Sequence, residues 1–485
     1  MRQLTRRRFV RNLTAATLGL SAALCVSPTA KVLGANNDIR IAIVGLRKKG
    51  KEHLDIFGKV PGVRIVALCD CDTQFLDFEV DRFARRGQKP ARYVDYRKLL
   101  DDRDIDAVVL PVPDHWHALM TIWACQAGKD VYTEKPLSHN IWEGRKMVEA
   151  ARRYKRIVQT GSQDRSDLGL LELVPYIQQG NLGAVKFVTA ISYNLRESIG
   201  RVDGPQPVPP TCDYNLFQGP APLVPLMRME LHYDWHWFWD TGTGEVGNLG
   251  AHNVDESRWL IGRKDVAPRA ISIGGRFGMY DDGQTPNTQI TFFDYRPVPI
   301  IYEVHGLRRR KNLRASDHYR GTNFGMVIHC EGGYFAGGRG GGWAYDNQGK
   351  KIKQFSGEGG MDHQANFIRA MRSRKITDLR ADVLEGHISA TLCHMANISY
   401  RLGQIRPADR IKQAVADNDI LAEALERMLA HLYANEIDLK TEPITVGPML
   451  NFDGAKEQFV GDSGDLANMF LRRDYREPFV VSDEV

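Results

Sequence analysis

The sequence predicts an α/β protein built from two different kinds of sheet. Between residues 38 and 160, short apolar runs rich in β-branched residues alternate with stretches of helical periodicity. This alternation is typical of a parallel sheet that helices cover on both faces. After residue 161 the predicted strands follow one another without regular intervening helices. That change indicates a larger, mainly antiparallel sheet.

The N-terminal part is predicted to contain five strands and four helices. Each predicted strand is a short apolar run, and the first two end at Gly45 and Asp70. The predicted strands are residues 39–44, 63–69, 106–111, 130–133 and 157–160. The predicted helices are residues 50–59, 75–86, 115–127 and 142–154. We therefore place one domain at residues 38–160.

The C-terminal part is predicted to form a second domain at residues 161–435, followed by an irregular tail at 436–485. Its predicted strands are residues 186–193, 270–274, 289–293 and 300–304. A Pro-rich loop at 204–210 and a Gly-rich loop at 337–342 are expected to interrupt the sheet. Helical patterns return at residues 364–374 and 384–402.

Residues 1–35 are predicted to be an export signal. The run Thr5-Arg6-Arg7-Arg8-Phe9-Val10 precedes an apolar stretch at 13–26 that is short for a membrane span. This arrangement resembles a twin-arginine signal. The resemblance implies that a twin-arginine translocase exports the folded protein to the periplasm or another extracytoplasmic space, with a cofactor already loaded.

Composition narrows the classes of partner. Six of the 65 basic residues and none of the 59 acidic residues lie within residues 1–35. The remaining chain is therefore formally neutral, which argues against nucleic acid and suits a small neutral substrate. The seven cysteines show no spacing typical of a zinc site, so we predict no metal.

The turn after the first strand has the features of a dinucleotide-binding loop. Gly45 and Gly50 occupy the outer positions of a Gly-x-Gly-x-x-Gly pattern, and Arg47 replaces its middle glycine. Asp70 ends the second strand, where a carboxylate accepts hydrogen bonds from the ribose of NAD. No cation adjoins Asp70 in sequence to bind a 2′-phosphate, so NAD is favoured over NADP.

Two polar runs follow neighbouring strands of the predicted parallel sheet. Glu134-Lys135-Pro136 follows the strand at 130–133, and Asp114-His115-Trp116-His117 follows the strand at 106–111. Both runs should therefore meet at the carboxyl edge, where open α/β sheets bind ligands. A lysine beside a nicotinamide cation has a lowered pKa and can exchange a proton with a substrate hydroxyl.

A third cluster lies further along the chain. An aromatic run at 235–239, which ends in Trp239, precedes Asn248 and His252. Residues four apart on a helix share a face, so Asn248 and His252 should lie together. Aromatic faces beside polar groups suit sugars, although core packing is an equally good interpretation of the tryptophans.

Taken together, these motifs resemble the Gfo/Idh/MocA family, which includes glucose–fructose oxidoreductases and inositol dehydrogenases. The similarity also covers Gly247-Asn248-x-x-x-His252-x-x-Asp255 and extends from about residue 38 to at least residue 402. The resemblance implies an N-terminal Rossmann domain and a C-terminal α/β domain with an open sheet. In the family, that sheet often forms the interface between subunits and one side of the substrate site, so we expect a homo-oligomer.

The resemblance also implies roles for individual residues. Lys135 would be the active-site lysine and His252 the histidine near the reacting hydroxyl. The family usually carries an aspartate where this chain has Asn248, which cannot take a proton. The expected cofactor contacts are Gly45, Arg47, Gly50, Asp70, Asp114, His115, His117, Glu134 and Lys135. The expected substrate contacts are Trp239, Asn248 and His252.

Three functions remain open on the sequence alone. The first is an exported oxidoreductase that moves hydride between tightly bound NAD and a sugar or polyol. The second is a redox-neutral, NAD-dependent glycosidase or lyase of the same fold. The third is a sugar-binding protein that has lost catalysis, which the departures at Arg47 and Asn248 permit.

Overall fold

The computed structural model describes residues 38–485. The predicted export signal, with Cys25, lies outside the described residues. Within residues 38–485, no helix is both long enough and apolar enough to cross a bilayer.

The N-terminal part forms a six-stranded sheet in the order β3-β2-β1-β4-β5-β6. The strands are β1 (Ile39–Val44), β2 (Val63–Cys69), β3 (Ala91–Tyr93), β4 (Ala107–Leu110), β5 (Asp130–Thr133) and β6 (Val158–Thr160). Pairing is parallel, and strand order reverses between β1 and β4. This order is that of a Rossmann fold, which confirms the predicted class.

Helices connect these strands close to their predicted positions. They are α1 (Lys48–Phe57), α2 (Thr73–Ala84), α3 (Tyr96–Leu100), α4 (His117–Gln126) and α5 (Ile141–Arg153). Strand β3 and helix α3 were not predicted. They are three and five residues long.

The C-terminal part is built on a twelve-stranded sheet that is mainly antiparallel, as predicted. Its strands are β7 (Val185–Ser192), β8 (Arg269–Gly275), β9 (Thr288–Phe293), β10 (Ile300–His305), β11 (Phe324–Cys330), β12 (Gly333–Gly338), β13 (Gly341–Asp346), β14 (Lys351–Ser356), β15 (Gln404–Arg406), β16 (Ile444–Val446), β17 (Leu450–Asp453) and β18 (Gln458–Val460). Among the described strands of this sheet, β7 and β10 are the one parallel pair.

The helices of this part are α6 (Leu168–Gln178), α7 (Tyr214–Gln218), α8 (Ala251–Leu260), α9 (His363–Ser373), α10 (Val383–Arg401), α11 (Ala408–Val415), α12 (Asp419–Ala434) and α13 (Gly464–Asn468). Alternate residues of β10 divide between the two faces of the sheet. Ile300 and Tyr302 pack towards α8 and α10, whereas Ile301 packs towards α11 and α12. Helices α11 and α12 thus cover part of the second face.

Two predictions for this part are wrong. Residues 337–342 were expected to form a loop, but they belong mostly to the β12–β13 hairpin, whose turn is Arg339-Gly340. Glycine is needed there because a Cβ at Gly337 would lie 2.3 Å from the Gly341 carbonyl oxygen. The tail at 436–485 is not irregular, since it contains β16–β18 and α13. These short strands depend on pairing with distant strands such as β8.

Helix α10 joins the two parts of the molecule. It packs against α5 of the Rossmann part and against β8 of the large sheet. Asp382, at its N-terminus, accepts hydrogen bonds from Arg152 at the end of α5. The carboxyl edge of the parallel sheet is thereby held against helix α8 and the β12–β13 turn.

Candidate active site

A cavity of about 420 Å³ lies at the carboxyl edge of the parallel sheet. Residues from both parts of the molecule line it, which is the position expected for the ligand site of an open α/β sheet. Eight residues that the sequence singled out lie in its wall: Gly45, Arg47, Asp70, Asp114, Glu134, Lys135, Asn248 and His252.

The glycine loop lines one end of this cavity. Gly45 has φ +86°, and its N–H donates to the Cys69 carbonyl at 2.8 Å, which joins the ends of β1 and β2. Only glycine adopts this conformation without strain. Helix α1 begins at Lys48, and a Cβ on Gly50 would lie 1.9 Å from the Gly45 carbonyl oxygen. The loop therefore approaches its own helix too closely for any side chain at position 50.

These features fit a dinucleotide. A Cβ on Gly45 would meet the Pro111 carbonyl oxygen at 2.9 Å, so the end of β1 packs directly on the segment after β4 and leaves no room for a side chain at position 45. Lys48 and Lys49, in the N-terminal turn of α1, line the cavity, and a helix N-terminus is the site that binds phosphate in Rossmann folds. When bound there, a nicotinamide dinucleotide supplies a hydride acceptor or donor.

Arg47, which stands in place of the middle glycine, is engaged elsewhere. Its guanidinium lies 4.9 Å from the ring centroid of Phe75 and 3.3 Å from a carboxylate oxygen of Glu230. The side chain thus links the glycine loop to the segment at residue 230.

Asp70 supports the same loop. Its Oδ2 accepts a hydrogen bond from the Leu46 N–H at 2.8 Å, and its Oδ1 accepts one from the Asp72 N–H at 2.9 Å. Burial raises the pKa of Asp70 to about 6, against the opposing effect of these two N–H groups. The carboxylate therefore titrates close to neutral pH.

The position of Asp70 predicts a pH-dependent cofactor affinity. Only the ionised carboxylate is a full acceptor for ribose hydroxyls, so NAD binding should weaken below about pH 6, by up to about tenfold per pH unit. Asp70→Asn should bind NAD about 1–3 kcal/mol more weakly at neutral pH and lose this pH dependence. Calorimetric titration of both proteins between about pH 5 and pH 8 checks this. Equal pH profiles for wild type and variant would exclude Asp70 from cofactor binding.

Lys135 projects into the cavity from the end of β5. Its Nζ donates to the backbone oxygen of Asn248 at 2.6 Å and to Asn248 Oδ1 at 2.9 Å. Burial lowers the pKa of Lys135, and the nearby Lys49 and Arg339 add to this, against Glu134 and Asp114. An ammonium has three donors, so one remains for a ligand.

Asn248 lies in a single π-helical turn, Val246–Gly250, directly before α8. Its Nδ2 donates to Glu245 at 3.4 Å, so its Oδ1 is the atom turned towards Lys135. The residue therefore positions the lysine as an acceptor, and it does so without a titratable group.

Two further acids of the cavity have opposite electrostatic environments. Burial would raise the pKa of Glu134, but Lys49, His53 and Lys135 hold it well below its usual value. His53 Nε2 and Gln163 Nε2 each lie 2.9 Å from Glu134 Oε1. Burial raises the pKa of Asp114 to about 7, and Thr243 donates to its Oδ2 at 2.6 Å. Glu134 is thus a fixed anion, whereas Asp114 titrates near neutrality.

His252 also lines the cavity, at the start of α8. Its Nδ1 is 3.3 Å from Asp164 Oδ2, and Arg339 Nη2 lies 3.4 Å from both ring nitrogens. Burial lowers the pKa of His252; Arg339 and Lys135 add to this effect, and Asp164 opposes it. The imidazole is therefore held neutral beside a carboxylate.

Two histidines predicted as cofactor contacts are placed elsewhere. The His115 ring lies between the carbonyls of Thr241 and Phe217, at 3.1 and 3.0 Å. The His117 ring lies between the carbonyls of Pro136 and Val112, at 2.6 and 2.9 Å. Neither lines the cavity in the described chain. The 3₁₀ turn at Asp114–Trp116 directs Asp114 and Trp116 towards the cavity instead.

Trp239 also does not line this cavity; it lines a separate small pocket with Arg401 and Phe470. The chain reverses after the 3₁₀ turn Asp234–Trp237, since the Gly242 N–H donates to the Phe238 carbonyl. As a result Trp235 and His236, and not Trp239, face the main cavity. Gly50, which was predicted to contact the cofactor, does not line the main cavity. It packs on Gly45 and so supports the shape of the glycine loop.

The sequence prediction missed Gln163, Asp164 and Arg339. Gln163 and Arg339 line the cavity, and Asp164 lies directly behind His252. Gln163 and Asp164 follow strand β6, so the carboxyl-edge argument that identified Lys135 applies to them too. Arg339 could not be identified in this way. It lies in the turn of the β12–β13 hairpin, and the sequence analysis interpreted this hairpin as a glycine-rich loop.

Two other clusters bear on the predicted absence of a metal. Asp72, Cys212 and His232, and separately His305, Asp317 and His431, bring possible ligand atoms within 4.8 Å of one another. In each cluster a histidine nitrogen lies close to the aspartate, at 2.9 and 3.0 Å. Hydrogen bonding accounts for both, and the metal prediction stays a prediction.

Comparison with protein families identifies both parts of the chain. A model described as an oxidoreductase family, NAD-binding Rossmann fold, matches residues 39–162. A second, described as an oxidoreductase family, C-terminal alpha/beta domain, matches residues 185–303. Together they cover about half of the chain.

Curated relatives carry two different activities in their names. A glycosyl hydrolase family 109 protein of Shewanella pealeana is 30% identical over 169 residues, which is 33% of this chain and 37% of that protein. An inositol 2-dehydrogenase of Salmonella typhimurium is 31% identical over 158 residues, or 32% of this chain and 46% of that enzyme. The chain thus aligns with less than half of either relative.

Solved structures share the fold. The WlbA dehydrogenase from Bordetella pertussis, in complex with NADH and UDP-GlcNAcA, superposes with a TM-score of 0.56 at 20% identity, covering 75% of this chain and 97% of that one. An aldose-aldose oxidoreductase from Caulobacter crescentus, complexed with glycerol, gives 0.53 at 15% identity, covering 73% and 94%.

Proposed function

The chain belongs to the Gfo/Idh/MocA family of oxidoreductases, and we propose that it oxidises or reduces a hydroxyl-bearing carbon of a sugar or polyol by means of tightly bound NAD. The observation that carries this proposal is the position of Lys135. Its Nζ lies in the same cavity as the glycine loop and Asp70, with Asn248 as its anchor. An acid/base group is therefore present in the cavity that would hold the dinucleotide.

Each polar residue of the cavity has a separate role in this proposal. Lys135 exchanges the proton of the substrate hydroxyl, which its lowered pKa favours. Asn248 holds the lysine through two acceptor oxygens, and His252 orients the hydroxyl or assists the proton transfer. Trp235 and His236, whose ring centroids lie 3.6 Å apart, line the cavity and supply aromatic groups that would contact a sugar there.

NAD is the cofactor that we propose, because Arg47 and Arg97, which line the same cavity as Asp70, are already paired. Arg97 forms a two-point ion pair with Asp95, at 2.6 and 3.0 Å, and Arg47 lies beside Glu230. A 2′-phosphate would have to compete with those carboxylates. Tighter binding of NADP than of NAD would contradict this assignment.

A redox-neutral glycosidase or lyase is the second candidate. The relatives named glycosyl hydrolase family 109 favour it. In such a reaction the sugar is oxidised, eliminates its leaving group, adds water and is reduced again, so that no net redox change occurs. The same lysine would serve both directions.

Retention of the dinucleotide separates these candidates. Protein purified from the extracytoplasmic fraction should carry about one dinucleotide per chain through gel filtration, because tight binding appears mostly as a slow off-rate. That protein is then mixed with chromogenic aryl glycosides and no added NAD. Sustained release of the aryl group favours the glycosidase, whereas turnover that needs a second sugar favours the oxidoreductase. Protein that emerges empty and works only with added NAD contradicts tight binding.

We also propose export by the twin-arginine route, on the pattern at Arg6-Arg7. The double variant Arg6→Lys/Arg7→Lys should remain in the cytoplasm, because the translocase recognises the arginine pair. Arg2→Lys/Arg11→Lys is the matched control, since it keeps the pair and makes equally conservative changes. Cell fractionation measures both, and normal export of the Arg6/Arg7 variant would exclude the route.

A homo-oligomer through the large sheet is proposed on the character of its second face. Helices α11 and α12 cover β8–β10 there, whereas β12 and β13 present partly exposed aromatic rings, with Tyr334 and Tyr345 stacked at 4.8 Å. Such a surface suits a second copy of the chain.

A further inference from the structure

His252 contacts a buried carboxylate that lies far from it in sequence. Asp164 Oδ2 is 3.3 Å from His252 Nδ1, and Asp164 is 1% exposed. The other oxygen of Asp164 accepts from Arg339 Nε. Asp164 therefore connects the imidazole to the β12–β13 turn.

Glu256 lies behind this pair, one helical turn after His252 on α8, and is fully buried. Its carboxyl group faces Asp164, and no hydrogen-bond donor of another residue in the described chain reaches its oxygens. Burial and the Asp164 charge raise the pKa of Glu256 well above its usual value. Burial would also raise the pKa of Asp164, but His252, Glu256 and Arg339 hold it well below its usual value. Glu256 is thus the neutral acid of the pair and Asp164 the anion.

We propose that Asp164, in the 3₁₀ turn Gln163–Ser166 that follows strand β6, is the positioning residue of His252. This inference rests on the proposed function of the cavity. A neutral imidazole carries one N–H. With that N–H on Nδ1, 3.3 Å from Asp164 Oδ2, Nε2 is left as the acceptor with which His252 assists the proton transfer. Asp164 then stabilises the imidazolium that forms when Nε2 takes the proton.

Neighbouring charges make this assignment specific. The charged groups facing His252 are Asp164, Arg339 and Lys135. The two cations disfavour a second proton on the ring, and Asp164 alone favours it. Glu256, being neutral, contributes no charge to this group. The pair Asp164 and Glu256 therefore allows a matched comparison, since an amide at position 256 leaves the charge unchanged and an amide at position 164 removes the anion.

The test is a nitrogen NMR titration of histidine-labelled protein, with His252→Gln used to assign the resonance. In the wild type, His252 should carry its proton on Nδ1 at neutral pH. Asp164→Asn should lower the pKa of His252 by about 1–3 units, the effect of removing an adjacent opposite charge, and should redistribute the tautomers. Glu256→Gln should change neither.

Two results would overturn the inference. One is an Nε2–H tautomer of His252 in the wild type, which needs no variant and so remains decisive if Asp164→Asn fails to fold. The other is an unchanged tautomer and pKa in a folded Asp164→Asn protein. The titration uses no substrate and no turnover, so its outcome is independent of the sugar chemistry proposed above.

Discussion

Replacing Lys135 with methionine is expected to lower turnover by about 10²–10⁴-fold, the usual contribution of a general acid or base. Methionine preserves the length and apolar stem of lysine but cannot exchange a proton. Because the lysine contacts Asn248 and not the glycine loop, the dinucleotide should remain bound. The measurement is steady-state turnover together with the amount of dinucleotide that co-purifies.

The control for this variant is Lys51→Met, since Lys51 lies on the exposed face of α1. It makes the same chemical change on the helix that follows the glycine loop, and it should leave turnover within about twofold, as surface substitutions generally do. Near-normal turnover in Lys135→Met would remove the lysine from the mechanism. Loss of the dinucleotide would instead indicate that Lys135 is a cofactor contact.

Replacing Gly50 with alanine should weaken dinucleotide binding by about 10- to 100-fold. The added methyl group would lie 1.9 Å from the Gly45 carbonyl oxygen, so the loop and α1 must separate. Overpacking of this kind costs about 1–3 kcal/mol, and each 1.4 kcal/mol is about tenfold in the dissociation constant. Calorimetric titration of the dinucleotide-free protein measures the change.

Gly454→Ala is the matched control for the glycine variant. No heavy atom of the described residues lies within 4 Å of a Cβ at this position, so affinity and thermal stability should both be unchanged. If Gly50→Ala retains wild-type affinity, the loop between β1 and α1 is not the phosphate cradle, and the dinucleotide site must be sought elsewhere in the cavity.

The fold could be predicted where local pattern decides structure. The strands at 39–44 and 63–69 match because apolar runs that end at a glycine or an aspartate are unambiguous in an α/β alternation. Strands β4 to β6 are equally short but were predicted from their place between predicted helices. Strand β3 and the tail strands were not, because pairing with other strands of the sheet, and not a local pattern, forms them. The prediction for residues 337–342 was wrong because glycine is common in loops. Here the glycines instead allow β12 and β13 to pair closely.

The candidate site could be predicted to the level of the sheet edge but not of side-chain direction. Strand order brings Asp114, Lys135 and Asp70 to one cavity, and this follows from sequence. The direction of His115 depends on a 3₁₀ turn and on the carbonyls of residues 217 and 241, more than a hundred positions away. The contact of Asp164 with His252 likewise depends on how helix α8 packs against the parallel sheet.

The measurement that tests the account most directly is deuterium transfer in a single turnover. Protein carrying its own dinucleotide is mixed with a panel of sugars and polyols deuterated at their carbinol carbons, and the released dinucleotide is analysed by mass spectrometry. The account predicts that one substrate transfers deuterium to the nicotinamide in the wild type, and that the transfer is slowed by about 10²–10⁴-fold in Lys135→Met. Binding of a sugar without deuterium on the nicotinamide, for every member of the panel, would contradict the proposed oxidoreductase and leave a protein that binds sugars without oxidising them.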